Sequence, residues 1–178
     1  MYSNIYEKIK EIVGEKNVSN NYFELINNTL DAFPYELDLE RHEKLPYLVV
    51  KPKDEEEVSA ILKLANKKNI PVYPRGSGTS FTGSARASEQ GIILSTSRMN
   101  FIDINTDYGY FECGPGATVN SVDLTLAKKG FFLPVYPGSK IVATMGGMMA
   151  NNTSGHIIDA CIGKPGDYVL GLTVVLPT

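Results

Sequence analysis

Two glycine-rich runs hold the residues whose types and spacing point to chemistry. The first is Pro74-Arg-Gly-Ser-Gly-Thr-Ser-Phe-Thr-Gly83, directly after a strand-like segment. As a dinucleotide fingerprint it keeps Gly76 and Gly78, but Phe81 stands where the third glycine belongs. As a Walker loop it keeps Gly78 and Gly83, but Ser84 stands where lysine is required. With both templates excluded, there remains a run of small residues, Gly76 to Ser80, whose amides can turn inward together beside the hydroxyls of Ser77, Thr79 and Ser80. That is a concave nest suited to a phosphate, and the glycines let the backbone approach closely. A tight surface turn accounts for the glycines but not for the hydroxyl residues clustered behind Arg75. Arg75 itself suits two roles, an anion partner for phosphate or carboxylate and a structural donor to nearby carbonyls.

The second run, Pro137-Gly-Ser139 through Thr144-Met-Gly-Gly147 to Asn151-Asn-Thr-Ser-Gly155, sets Gly146 and Gly147 at the expected start of a short helix. Free amides and the dipole at such a start attract an anion. Two runs of this kind suggest a ligand with two phosphates, or one long enough to touch both. His156 follows the second run and suits an acid–base role or a structural hydrogen bond, whereas His42 sits in a charged linker and reads as exposed. Tyr168 reads as core, and Met145, Met148 and Met149 read as soft packing. Cys113 and Cys161 have no metal-ligand spacing and read as two buried thiols rather than a disulfide.

The elements that must position these runs are short. Ile5, Ile9, Ile12 and Val13 recur at helical spacing before Gly14, and a second apolar patch follows Asn20, so residues 1–40 are expected to be a helical appendage. Tyr47 to Val50 reads as a strand. Asp54 caps a helix that carries Glu55, Glu56 and Glu57 in its first turn and Lys67 and Lys68 in its last, matching the macrodipole at both ends. Pro71 to Pro74 is the next strand, which makes a parallel βαβ unit. Three strand-like runs follow, at Gly91–Ser95, Phe101–Ile104 and Tyr108–Cys113. Thr118 starts a further helix that ends before Gly130, and Val169 to Leu176 reads as a central strand. The expected class is α+β, with a boundary near residue 40. Because the sequence stops directly after its last strand, truncation at the carboxyl end is expected.

Composition limits the partners. The chain has 178 residues, 43% hydrophobic and 21% charged, a net charge of −3 and a scatter of small charge groups without a basic stripe, so nucleic-acid binding is not expected. No apolar run approaches the roughly 18 residues of a membrane span. The amino end lacks a hydrophobic signal core, which makes a cytoplasmic setting the default.

Taken together, Pro74-Arg-Gly-x-Gly-Thr-Ser-x-Thr-Gly83, Pro137-Gly-Ser139, Thr144-Met-Gly-Gly147, Ala150-Asn-Asn-x-Ser-Gly155 and Gly163-x-x-x-Asp167-Tyr-Val-Leu-Gly-Leu-x-Val-Val-Leu-Pro177 resemble the FAD-binding domain of the vanillyl-alcohol oxidase and p-cresol methylhydroxylase superfamily. The nearest branch is that of D-lactate dehydrogenase and the glycolate oxidase flavin subunit. The resemblance implies a two-subdomain FAD-binding fold over 41–178, a small βαβ subdomain over about 41–113 and an incomplete second one over about 114–178 that is part of a larger mixed or antiparallel sheet. It further implies that Arg75, Gly76, Ser77, Gly78, Thr79 and Ser80, with Thr144, Gly146 and Gly147, hold the pyrophosphate of FAD. Pro137, Gly138, Ser139, Asn151 and Gly155 would lie along the flavin or its ribityl chain, where the methionines could also pad. The segment from His156 to Ile162 departs from the family pattern and lacks its basic residues. Superfamily members that attach flavin through the first run have a histidine where Thr79 stands, so the FAD is expected to be non-covalent.

The function implied is a flavin-dependent dehydrogenase or oxidase acting on a small D-2-hydroxy acid, lactate-like or glycolate-like, with a separate electron acceptor. The cofactor carries the chemistry, and this stretch alone is expected to be inactive. The alternative is a non-catalytic FAD-binding or electron-transfer subunit using the same loops, with an NADPH-dependent reductase as a weaker rival.

Overall fold

The structure, a computed structural model, describes residues 2–32, 45–155 and 162–177. It divides into two units, Met1–Arg98 with Val174–Thr178, and Met99–Thr173. The first unit is a four-stranded sheet with helices on it. In chain order its elements are α1 (Tyr2–Val13), β1 (Val18–Ser19), α2 (Tyr22–Thr29), β2 (Leu48–Val50), α3 (Glu55–Lys68), β3 (Val72–Arg75) and β4 (Ile92–Ser95). The strands lie in the order β1-β2-β4-β3. β2 and β3 both run parallel to β4, and β1 is antiparallel to β2.

β2 and β4 are continuous apolar runs because both faces of the sheet are covered. Leu48, Val50, Ile92 and Leu94 join Ile5, Ile9 and Val13 of α1 and Ile61 and Ala65 of α3 in one core cluster. The alternate residues Val49 and Ile93 join Leu25 of α2, with Tyr73 packed against them. Each such fully buried aliphatic side chain contributes about 1.5–3 kcal/mol. Asp54 caps α3 as its sequence predicts, accepting from the Glu57 amide at 2.9 Å. The helix ends on Asn69 in the left-handed region at φ 52°, a conformation asparagine tolerates.

The second unit holds β5 (Ile102–Asn105), β6 (Tyr110–Cys113), α4 (Val119–Ala127) and α5 (Met145–Ala150). β5 and β6 form an antiparallel pair, with Ile102 opposite Cys113 and Asn105 opposite Tyr110. Ile102, Ile104, Phe111 and Cys113 pack against a core that includes Val119, Val122, Leu126, Met145 and Met148. Thr118 caps α4 through the Ser121 amide at 3.1 Å.

Two sequence expectations need amendment. Residues 91–95 do not begin a separate series of strands. They insert between β2 and β3, since a run buried at every position, Ser95 included, suits a central strand covered on both faces. The division into compact units falls after Arg98. α1 shares a core with α3, and the β5–β6 pair packs with α4. Finally, residues 169–176 form no strand: no described strand pairs with them, and Leu170, Leu172, Val174 and Leu176 are exposed. His42 lies outside the described residues.

Candidate functional site

The first glycine-rich run leaves the sheet at Arg75, the last residue of β3, which stands opposite Ser95 of β4. Its side chain is 7% exposed. The guanidinium donates to three carbonyls: Ala85 through Nη1 at 2.9 Å, and Asn27 and Leu30 at the end of α2 through Nη2. Burial pushes the Arg75 pKa below its ordinary value, and the nearby charge of Asp31 works in the other direction. Of the two roles open to this arginine, the structure shows the structural one.

Gly78 sits against this arrangement. Its φ is +69°, and a Cβ built there would land on the Arg75 guanidinium, so glycine is required on conformational and steric grounds alike. Beyond it the hydroxyls are tied to one another. Ser80 Oγ accepts from Ser84 Oγ at 2.8 Å and from the Thr82 amide at 3.1 Å. Gly76, Thr79 and Ser80 are partly exposed and Ser77 is exposed.

The second run is organised by backbone. Residues 137–143 make a turn in which the Lys140 amide reaches the Pro137 carbonyl (3.0 Å) and the Ala143 amide the Ser139 carbonyl (2.8 Å). Its carbonyls then serve α4: Val119 donates to Ala143 (2.8 Å) and Asn120 to Lys140 (3.1 Å). Lys140 is held by an ion pair with Asp123 and lies 4.2 Å from the centroid of the Tyr136 ring. Asp123 also accepts from the Leu133 amide at 2.9 Å. Burial works to raise the Asp123 pKa, but Lys140 and the Leu133 amide together hold it below the usual carboxylate value.

The start of α5 corrects one expectation. Its first amides are not free. Met145 donates to the Ala117 carbonyl at 2.8 Å, Gly146 to the Pro115 carbonyl at 2.9 Å, and Gly147 to its own cap Thr144 at 3.4 Å. A six-residue helix with its leading donors committed offers little to an anion through amides. The two glycines also differ. A Cβ on Gly146 would lie 2.6 Å from Pro115 Cβ and 2.9 Å from its carbonyl oxygen, whereas a Cβ on Gly147 would meet only Thr144 Oγ1, at 3.2 Å. Gly147 is exposed. Asn151 Nδ2 turns back onto the Gly147 carbonyl at 3.0 Å. Asn152, at φ 42°, accepts from the Gly166 amide at 3.0 Å. A Cβ on Gly155 would press on Val135 Cγ1 at 2.9 Å, while Gly138 is exposed and Pro137 and Ser139 are partly so.

Arg75 and Gly78 are thus brought together in the first unit, and Thr144, Gly146 and Gly147 are joined to Pro115 and Ala117 in the second. The Pro115–Ala117 turn and the Asp123–Lys140 pair escaped the sequence reading. The signal for the turn was Gly114-Pro-Gly116, which reads only as a strand terminator. His156 and Cys161 lie outside the described residues. Among those described, no group of three His, Cys, Asp or Glu residues is placed to hold a metal ion, and no helix is long and apolar enough to cross a membrane. A dinucleotide fits this lining: small, uncharged residues over 76–80, and an exposed Gly147 whose Cβ would meet the Thr144 hydroxyl at 3.2 Å and no backbone among the described residues.

The sequence profile of the FAD binding domain family matches residues 46–178. The chain is 43% identical to a D-lactate dehydrogenase of Archaeoglobus fulgidus over 73% of this chain and 29% of the relative. It is 29% identical to the glycolate oxidase subunit GlcD of Bacillus subtilis over 97% of this chain and 35% of that protein. The chain therefore spans about a third of the length of these curated relatives. Among solved structures, an alkyldihydroxyacetonephosphate synthase superposes with a TM-score of 0.81 at 24% identity, covering 94% of this chain and 35% of the other. A p-cresol methylhydroxylase gives 0.70 at 20% identity, covering 85% and 29%. At these identities the likeness is one of fold, and it bears out the mixed α and β architecture.

Proposed function

Because the chain belongs to the FAD binding domain family, we propose that it is the FAD-holding part of a flavin-dependent dehydrogenase or oxidase that oxidises a small D-2-hydroxy acid. The observation that carries the substrate class is the 43% identity to a D-lactate dehydrogenase across 73% of the chain. When bound, FAD supplies the two-electron redox chemistry, and the protein's part is to bind and orient. From the first unit, the backbone and small side chains of Gly76, Ser77, Gly78, Thr79 and Ser80 hold the pyrophosphate. Thr144, Gly146 and Gly147 are further FAD contacts, with Gly147 giving the close approach. Pro137, Gly138, Ser139, Asn151 and Gly155 line the flavin side. The FAD is non-covalent, since Thr79 has no ring nitrogen to attach it. Electrons leave to a separate acceptor.

The test is anaerobic mixing of the protein, purified from its native reading frame with FAD, against D-lactate, L-lactate and glycolate. Bleaching of the flavin absorbance by D-lactate or glycolate and not by L-lactate is the expected result. A flavin band unchanged by every 2-hydroxy acid sinks the substrate class and leaves a non-catalytic flavin carrier. Acid precipitation is expected to leave all the flavin in the supernatant, and flavin fluorescence on a denatured protein band would overturn the non-covalent reading.

A further inference from the structure

The first glycine-rich loop leaves β3 through a residue whose charge is spent inside the protein. Arg75 is 7% exposed, and its guanidinium reaches forward to the Ala85 carbonyl, past the loop, and across to the carbonyls of Asn27 and Leu30 at the end of α2. Those carbonyls belong to a helix end, where backbone acceptors have no partner within the helix itself. Gly78 lies so close to the guanidinium that no Cβ fits between them. Moving the guanidinium out to a phosphate would break three hydrogen bonds at once, to the carbonyls of Ala85, Asn27 and Leu30, and hydrogen bonds made by a charged donor are among the stronger ones.

We propose that Arg75 is a positioning residue for the FAD loop rather than a phosphate ligand: by tying residue 85 and the end of α2 to the start of the loop, it fixes the backbone of residues 76–80. The part of this that concerns FAD rests on the function proposed above. The device also reaches outside the family match, which begins at residue 46, because α2 spans Tyr22–Thr29. The segment ahead of the family domain therefore supports the loop through Asn27 and Leu30. Lysine cannot replace this arginine. A point-charge ammonium on a flexible stem retains a phosphate contact but not a planar fork shared among separate carbonyls.

The experiment compares the parent chain with Arg75→Lys, Arg75→Ala and a core control in the same unit, Ile61→Val. Two readouts are taken: the rate of chymotryptic cleavage after Phe81 without FAD, and the FAD dissociation constant with its dependence on salt. Both arginine variants are expected to speed cleavage at Phe81 at least tenfold and to weaken FAD at least tenfold, with the salt slope unchanged. Ile61→Val is expected to stay within twofold on both, compared at equal distance below each variant's melting temperature. If Arg75→Ala does not fold, Arg75→Lys, which keeps charge and length, decides. Parent-like cleavage and affinity in Arg75→Lys, or a shallower salt slope in Arg75→Ala, would show a direct phosphate contact and overturn the proposal. A parent chain that binds no FAD refutes the proposed function, and cleavage at Phe81 then decides the role of Arg75 by itself.

Discussion

The two glycine-rich loops share a composition but differ in what makes their glycines necessary. In the first loop a buried side chain rules. Gly78 is glycine because its φ is positive and because the Arg75 guanidinium occupies the space a Cβ would take. In the second loop backbone rules. Gly146 is glycine because Pro115 packs on it, and the leading amides of α5 go to the Pro115 and Ala117 carbonyls. Glycine-rich composition therefore does not certify an anion nest. The amides have to be followed to their acceptors, and at Gly147 the space a Cβ would take is bounded by the Thr144 hydroxyl rather than by backbone.

The largest expected effect breaks the first loop. Gly78→Val puts a β-branched residue at positive φ and displaces the guanidinium from its carbonyls. Strain of this kind costs up to about 3 kcal/mol, and the displaced donors add to it. Urea unfolding should show a loss of at least about 3 kcal/mol without FAD present, and a loss under about 1 kcal/mol would mean the guanidinium has another place to go.

In the second loop the paired glycines should part company. Gly146→Ala presses on Pro115 backbone atoms at 2.9 and 3.0 Å, and overpacking of this kind costs roughly 1–3 kcal/mol. Gly147→Ala meets only the Thr144 hydroxyl, at 3.2 Å, and stiffens a helical position, so the stability of the protein without FAD should change by no more than about 1 kcal/mol in either direction. FAD affinity should nonetheless fall at least tenfold in Gly147→Ala if the dinucleotide approaches there. Equal melting temperatures for the two variants would erase the distinction between packed and open glycine.

The elements that carried strong local signals were legible in the sequence. Asp54 and Thr118 cap the helices expected of them, and the α3 charge pattern marks both ends of that helix. What was not legible depends on partners distant in the chain. The insertion of β4 between β2 and β3 is a matter of pairing, and so is the exposure of Leu170 and Leu172, which no described strand pairs with. In the candidate site the residue types were readable but the destinations of donors were not. Arg75 reaches residues 27 and 30, separations no local spacing rule covers, and the amides of α5 are spent on a turn some thirty residues earlier.

Acid should separate the loops more gently. The second loop is tethered by Lys140 to Asp123, whose folded pKa is depressed. The stability this pair contributes is present above the unfolded value of about 3.9 and is lost as pH falls through the lower folded value. The guanidinium strut of the first loop does not titrate in that range. Asp123→Asn should cost about 1 kcal/mol at pH 7 and flatten the dependence of stability on pH below about 4. A variant with the parent's full acid sensitivity would place the titrating group elsewhere.

The smallest effect, silent at neutral pH, tests how closely the turn that receives α5 is packed. Cys113 ends β6 directly ahead of Gly114, and burial pushes its thiol up to about 11. In the unfolded chain the thiol titrates near 8.5. Below that value both states hold the proton and stability is unaffected; as pH rises from about 8.5 toward 11 the unfolded chain ionises first, so stability erodes across that window. Because the thiolate is the nucleophile, the same shift suppresses reactivity. With Cys161→Ser leaving Cys113 as the remaining thiol, alkylation by iodoacetamide at pH 8 should run roughly a hundredfold slower in the native protein than in urea. The native rate should climb tenfold per pH unit up to about 10. Gly114→Ala, whose Cβ would collide with the Met99 carbonyl, should open the turn and bring the native rate to within about tenfold of the rate in urea. Fast alkylation of the parent at pH 8 would show that the end of β6 opens readily by itself, and that the backbone acceptors offered to α5 are less firmly held than the strut of the first loop.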